Sequence, residues 1–155
     1  MADVQHMARI HRRLIDSIYT EAMLLADEAR AYFDIFGRDE RDMLDALSRV
    51  AFSCESLKVT TRLMHIIAWL LTQRAVHAGE LSAAEARLPS RRLGDNPVTE
   101  AATLAAMPGQ AATIIQASID LHRRVARLDA TQEEEPAPAP SPARSMLDRL
   151  AGAFY

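Results

Sequence analysis

An unbroken heptad pattern constrains the fold of this chain more than any other feature of its sequence. Apolar or small residues recur at alternating steps of four and three, at Met43, Leu47, Val50, Cys54, Leu57, Thr61, Met64, Ala68, Leu71 and Ala75. This spacing is typical of a helix that packs along another helix. A second apolar set, which includes Leu63, Ile66 and Leu70, leaves the later half of this helix apolar nearly all round. The helix therefore needs two partner helices or a partner chain.

The composition favours helices in the rest of the chain. Of 155 residues, 49% are hydrophobic and only 5% aromatic, and Ala, Leu, Ile and Met, which favour helices, make up most of the apolar share. We predict an all-α protein in which residues 1–130 form an antiparallel three-helix bundle. Its helices are expected at about 4–36, 40–78 and 109–130, with an irregular connection over 80–108.

Local signals predict where these helices begin and end. Gly37 follows the last apolar position of the first helix and is expected to be its left-handed C-cap. Asp39 is the expected N-cap of the second helix. Asn96 and Pro97 suggest the cap and first residue of a short helix within the connection.

The C-terminal segment 131–155 differs in composition from the bundle. Glu, Pro, Ala and Ser dominate residues 133–142, which predicts a disordered tail. Apolar residues return at its tip, at Met146, Leu147, Leu150, Phe154 and Tyr155. We interpret this tip as a short docking motif on a tether, the alternative being a terminus without a role.

Charge and cysteine content narrow the class of protein. The net charge is −3, which gives no general attraction to nucleic acid or anionic lipid. The single cysteine, Cys54, cannot form an internal disulfide, as suits a reducing compartment. The longest apolar stretch, Leu63–Leu71, is far shorter than the roughly 20 residues that span a bilayer. We expect a cytoplasmic protein that binds neither nucleic acid nor membrane.

The sequence offers little catalytic chemistry. No Glu-x-x-His pair, H-E-x-x-H motif or glycine-rich phosphate loop occurs, so we predict no catalytic residue, cofactor or metal. Two alternatives stay open. A helical phosphotransfer protein would use His65 or His77, and a DNA-associated regulator would use the arginines within 9–13, 91–92 and 123–127.

The second predicted helix resembles the RcdA family, the bacterial regulators of CtrA degradation. The resemblance is carried by Glu55–Met64 (ESLKVTTRLM) and by Trp69–Val76 (WLLTQRAV), followed by Gly79 and Glu80. Weaker support comes from Tyr19–Leu24 (YTEAML). The likeness extends from about residue 15 to residue 130.

The resemblance implies a non-enzymatic proteolytic adaptor from an alphaproteobacterium. Proteins of this family are similar to dimeric three-helix bundles with a disordered tail, and they help to deliver substrates such as cell-cycle regulators to the protease ClpXP. They act with a CpdR-like response regulator, and a PopA-like cyclic-di-GMP-binding adaptor can join them. The resemblance also suggests concentration at a cell pole.

Two surfaces are candidates for protein contacts. We expect homodimerisation through the first two helices, with Trp69 as anchor beside Leu63, Ile66 and Leu70. The polar side of the second helix is a candidate partner surface, the alternative being a solvated charged face. Its members are Glu55, Lys58, Arg62, Gln73 and Arg74.

Overall fold

The computed structural model describes residues 2–133 and 142–153, and the described residues contain helices and no strand. We number the α-helices in chain order: α1 (Ala2–Ala31), α2 (Arg38–Asp42), α3 (Ala46–His77), α4 (Ala83–Ala86), α5 (Ala101–Ala106), α6 (Gly109–Glu133) and α7 (Pro142–Ala153). A π-helical turn, Tyr32–Phe36, continues α1, and a 3-10 turn, Pro89–Arg91, follows α4. The predicted all-α fold with long helices is confirmed.

The three long helices enclose one apolar core. The buried apolar residues of α1 include Ile15, Ile18, Ala22 and Ala29. In α6 the buried apolar residues are Ala111, Ile114, Ile115, Leu121 and Val125. From α3 they are joined by Phe52, Val59, Leu63, Ile66, Trp69 and Leu70.

The direction of α6 differs from that expected in the predicted antiparallel three-helix bundle, in which successive helices alternate in direction. Helix α1 is antiparallel to α3, because His11 contacts His77 at one end and Phe33 contacts Phe52 at the other. Helix α6 is parallel to α3: Arg62 contacts Ser118, and eleven positions later Gln73 contacts Gln132. The connection between α3 and α6 must therefore return along the whole bundle, which explains its length.

The start of α3 also differs from the prediction. Asp45, not Asp39, is the N-cap, and its Oδ1 accepts a hydrogen bond from the Ser48 amide at 2.7 Å. Asp39 belongs to the separate helix α2. Gly37 has a right-handed φ of −86°, so it is not a left-handed cap. Glycine suits this position because an added Cβ would lie 2.8 Å from the Tyr32 carbonyl oxygen.

The connection and the tail hold two further differences. Pro97 does not open a helix, since residues 92–100 are irregular and α5 begins only after Glu100. The tail contains α7 where disorder was predicted, and α6 continues three residues beyond 130. None of the helices described is both long and apolar enough to cross a membrane.

Candidate functional site

Arg62 holds the returning connection onto α3. Its side chain is 0% exposed. Nε donates to Asn96 Oδ1 at 2.7 Å, and Nη2 donates to the Pro97 carbonyl at 2.7 Å and to Thr99 Oγ1 at 2.6 Å. Nη1 donates to Ser118 Oγ on α6 at 3.2 Å. One planar guanidinium, with its fixed fork of donors, thus joins α3, the connection and α6.

Glu55 supplies the negative charge of this network. It is 1% exposed, and it accepts hydrogen bonds from Lys58 Nζ at 2.8 Å and from Thr99 Oγ1 at 2.6 Å. Lys58 Nζ also donates to the Val98 carbonyl at 2.7 Å. Burial lowers the pKa of Arg62, and the nearby Glu55 charge opposes that shift. Burying these charges is tolerated because each has partners of complementary polarity.

Two histidines hold the same connection by its backbone. His65 Nδ1 lies 2.8 Å from the Asp95 carbonyl, and His122 Nε2 lies 2.8 Å from the Gly94 carbonyl. A carbonyl oxygen only accepts, so both ring nitrogens carry the donated proton. A Cβ on Gly94 would fall 2.5 Å from the His65 ring, so this close approach needs glycine. Residues 92–99, which we call the strap, are therefore held along much of their length.

Asp129 fastens the first residue of the strap. Arg92 Nε donates to Asp129 Oδ1 at 2.7 Å, and Arg92 Nη2 donates to Oδ2 at 3.1 Å. The Trp69 indole also donates to Oδ1, at 2.9 Å. Within the described residues, every buried side-chain nitrogen or oxygen has a hydrogen-bond partner. The strap network is thus fully satisfied, as a stable buried polar cluster requires.

Most of the predicted partner surface is therefore internal. Glu55, Arg62 and Gln73 are buried, and Gln73 pairs with Gln132 of α6. Lys58 is one-third exposed, at 32% of its side chain, and its ammonium is used by the strap network. Of these five residues, only Arg74 is exposed, and it lies beside Asp16 and over the Tyr19 ring.

The contacts of Arg74 are those of a surface residue. Its Nε lies 3.5 Å from Asp16 Oδ1, and its guanidinium carbon lies 4.5 Å from the Tyr19 ring centroid. Such exposed pairs contribute little to stability. Both interpretations of this helix side, partner surface and solvated face, fail for Glu55, Arg62 and Gln73 because the strap and α6 cover them.

The four candidates for a dimer interface also lie inside one chain. Leu63, Ile66, Trp69 and Leu70 are all buried in the single-chain core. A partner cannot contact these side chains while the bundle is intact. Their apolar character reflects packing against α1 and α6, so an interface between two chains must use other residues.

The heptad pattern of α3 lies on the opposite side, facing solvent. We call its exposed members the outer stripe: Leu47, Val50, Cys54, Leu57, Met64, Ala68 and Leu71. Leu57 is 67% exposed and Met64 is 64% exposed. Leu57 precedes the buried Val59 by two positions, and Met64 precedes the buried Ile66 by two positions. Two positions correspond to about 200° around a helix, so the exposed and buried residues lie on opposite sides. Helix α3 is thus apolar on two opposite faces, and one chain covers only one of them.

The tail presents a second uncovered apolar surface. Met146, Leu147 and Leu150 lie on α7 and are exposed. Their spacing places them on one side of the helix. Phe154 and Tyr155, the other two predicted members of the motif, lie outside the described residues.

The histidines give little support to the phosphotransfer alternative. His65 Nδ1 is engaged by the strap. His77 Nε2 lies 3.0 Å from His11 Nδ1, where one ring donates to the other. Burial, followed by the nearby His11 and Arg12, lowers the pKa of His77. Among the residues described, no group of three or more His, Cys, Asp or Glu side chains is placed to hold a metal.

The chain resembles known proteins both in sequence and in structure. Residues 6–154 match the family described as "Protein of unknown function (DUF1465)". The structure is similar to the crystal structure of RcdA from Caulobacter crescentus CB15, with 33% sequence identity and a TM-score of 0.63 over 77% of this chain and 90% of that chain. The chain belongs to the RcdA family. No curated protein matches the chain.

In this RcdA-family chain, the segment that carries the resemblance also builds the strap network. Glu55, Lys58 and Arg62 recur at steps of three and four, beside the buried Phe52 and Val59. Charges interleaved with a buried apolar series are the sequence signal of this network. Periodicity alone places these charges on a surface, because the strap that covers them is distant in sequence.

We predict that Arg62→Met lowers the free energy of unfolding by about 3–5 kcal/mol, because it leaves Glu55 buried without its opposite charge and the strap without its main donor. Arg74→Met, on the exposed side of the same helix, is the matched control and should change it by about 0–1 kcal/mol. Urea denaturation of both variants measures the difference. Equal, small effects would show that the strap network contributes little to stability.

We also predict that stability falls as the pH is lowered below about 6.5, the ordinary pKa of histidine. The pKa of His77 is depressed in the folded chain, so below that pH the unfolded chain binds the proton more readily and unfolding is favoured. Urea denaturation from about pH 7.5 to about pH 5.5, one unit on either side of that ordinary pKa, measures this trend. His77→Gln should make it shallower, whereas His6→Gln, at an exposed histidine of α1, should leave it unchanged.

Proposed function

We propose that this protein is a non-enzymatic adaptor that helps to deliver protein substrates, cell-cycle regulators among them, to the protease ClpXP. The similarity to RcdA is the observation that carries this proposal. The expected co-partners are a CpdR-like response regulator and a PopA-like cyclic-di-GMP-binding adaptor, and the expected location is the cytoplasm.

The surfaces of the chain support a role in protein binding. An adaptor acts by holding two partners together, which raises the effective concentration of one near the other. The outer stripe and α7 are apolar surfaces that one bundle leaves exposed, and large contiguous exposed apolar patches mark interaction sites. Among the residues that the structure describes, every buried polar side-chain atom has a hydrogen-bond partner within the chain, so these groups hold the fold together.

The outer stripe supports homodimerisation as part of this function. A heptad stripe packs best against another heptad stripe, and a second copy of α3 supplies one by symmetry. From Leu47 to Leu71 the stripe runs for about 36 Å, which gives a continuous seam. The proposed dimer therefore forms through the outer stripe and not through Leu63, Ile66, Trp69 and Leu70, which are buried in one chain.

The adaptor function predicts faster proteolysis. Purified ClpXP, a CpdR-like regulator and a candidate cell-cycle regulator are incubated with or without this chain, and substrate loss is followed over time. We expect the chain to accelerate degradation only when the protease is present. Deleting residues 134–155, just after α6 ends at Glu133, should leave the bundle folded and impair delivery of some substrates.

Two results would contradict this proposal. Degradation that is independent of the chain for every regulator tested would remove the adaptor role. Normal delivery by the truncated chain would remove α7 from that role while leaving the bundle in it. Circular dichroism of the truncated chain is the control, since a loss of folding would make impaired delivery uninformative about the tail.

Leu57→Asp should convert a homodimer into a folded monomer. The side chain is exposed in one chain, so the substitution spares the core, whereas two facing carboxylates in an apolar seam are strongly unfavourable. Light scattering coupled to size-exclusion chromatography measures the mass. Leu88→Asp, at an exposed leucine outside α3, is the matched control and should stay dimeric. A wild-type chain that is monomeric at micromolar concentration would contradict the dimer.

A further inference from the structure

A groove between α1 and α3 lies beside the outer stripe. We call it the α1–α3 groove; its volume is about 490 Å³. Six residues form most of its apolar lining: Ala26, Ala29, Phe33, Leu63, Met64 and Ile67. Small side chains on α1 keep the groove open, and the flexible Met64 lets its wall adapt to an occupant. It is long and apolar, as a surface that receives an amphipathic helix must be.

We propose that α7 docks into the α1–α3 groove of its own chain. Helix α7 has twelve residues, and isolated helices of that length are marginal in water. Its apolar side, formed by Met146, Leu147 and Leu150, is exposed in the structure. A helix of this kind gains stability by packing that side against a complementary surface.

The groove and the helix match in length. On α3 the groove extends from Ser56 to Ile67, and eleven steps of helix rise about 17 Å. The twelve residues of α7 extend about 18 Å. One helix therefore occupies the groove from end to end, with its apolar side toward Leu63 and Ile67.

The connecting chain is long enough to reach. Gln132, near the end of α6, pairs with Gln73, and Ile67 at the near edge of the groove is six residues earlier on α3, about 9 Å along the axis. Eight residues, 134–141, separate α6 from α7, and a chain of that length spans at most about 26 Å. That is enough to pass around one helix, whose diameter is about 10–12 Å.

Charge and tethering favour this occupant. Asp27, Asp34 and Arg30 are the ionisable residues of the groove lining, so its formal charge is −1. In sequence, residues 142–153 carry two arginines and one aspartate, so the formal charge of that segment is +1. A short tether gives α7 an effective concentration near its own groove in the order of millimolar, well above that of a second copy in dilute solution.

Docking would hide the apolar side of α7 from other proteins. A partner that binds α7 must first displace it from the groove, so the contact is autoinhibitory. This regulatory consequence rests on the proposed function of the tail, whereas the docking itself does not. The two are tested separately, because amide exchange reports docking in the absence of any protease or substrate.

Hydrogen exchange of the full chain tests the contact. We expect α7 amides to exchange about tenfold or more slowly than in a free peptide of residues 142–155. Thr60→Lys places a long charged side chain on the groove wall and should return α7 to the rate of the peptide. The exposed Thr20 makes the same contact, from Oγ1 to the carbonyl four residues earlier at 3.1 Å, and lies outside the groove, so Thr20→Lys should preserve protection.

Dilution and mixing identify the chain that supplies the helix. Docking within one chain is supported by two results together. Protection of α7 does not depend on protein concentration, and a spin label on α7 of one chain has no effect on the groove of a differently labelled chain. Protection that disappears on dilution, or an intermolecular spin-label effect, would assign the groove to a second copy and overturn the proposal. So would α7 amides that exchange at the peptide rate, or that stay protected in Thr60→Lys.

Discussion

The buried guanidinium of Arg62 is the contact on which the arrangement of the three long helices depends. Because α6 runs parallel to α3, the chain between them must return along the bundle, and the strap makes that return without a helix of its own. A strap of that kind has backbone groups that need partners. Arg62, Lys58 and His65 supply donors from α3 to three of its carbonyls, and His122 supplies one from α6.

This use of charge explains why α3 looks ambiguous by itself. Its inner side alternates apolar packing residues with charged ones, since it covers a hydrophobic core and a polar strap at once. Its outer side is the more regular and the more apolar of the two along much of its length. One helix thus stabilises its own bundle through the irregular pattern and leaves the regular one exposed.

The outer stripe and α7 are apolar surfaces that the bundle leaves exposed. Neither the outer stripe nor α7 contributes to the single-chain core, so both can change partners without unfolding it. The α1–α3 groove shares Met64 with the outer stripe. In the two proposals made above, an occupant of the groove and a partner on the stripe would both contact Met64, which would couple tail docking to self-association.

Helix propensity and 3.6-residue periodicity are local properties, so the sequence predicted the helical class and the approximate positions of the three long helices. It located the partner candidates on α3 but placed Trp69 at a surface and Arg62 on a solvent-facing side, whereas both are buried. Which side is buried depends on long-range packing, since α3 is apolar in two directions and periodicity carries no sign for inside and outside. The strap, brought back from more than thirty residues away, buries one polar face, and the parallel α6 fixes which apolar face becomes the core.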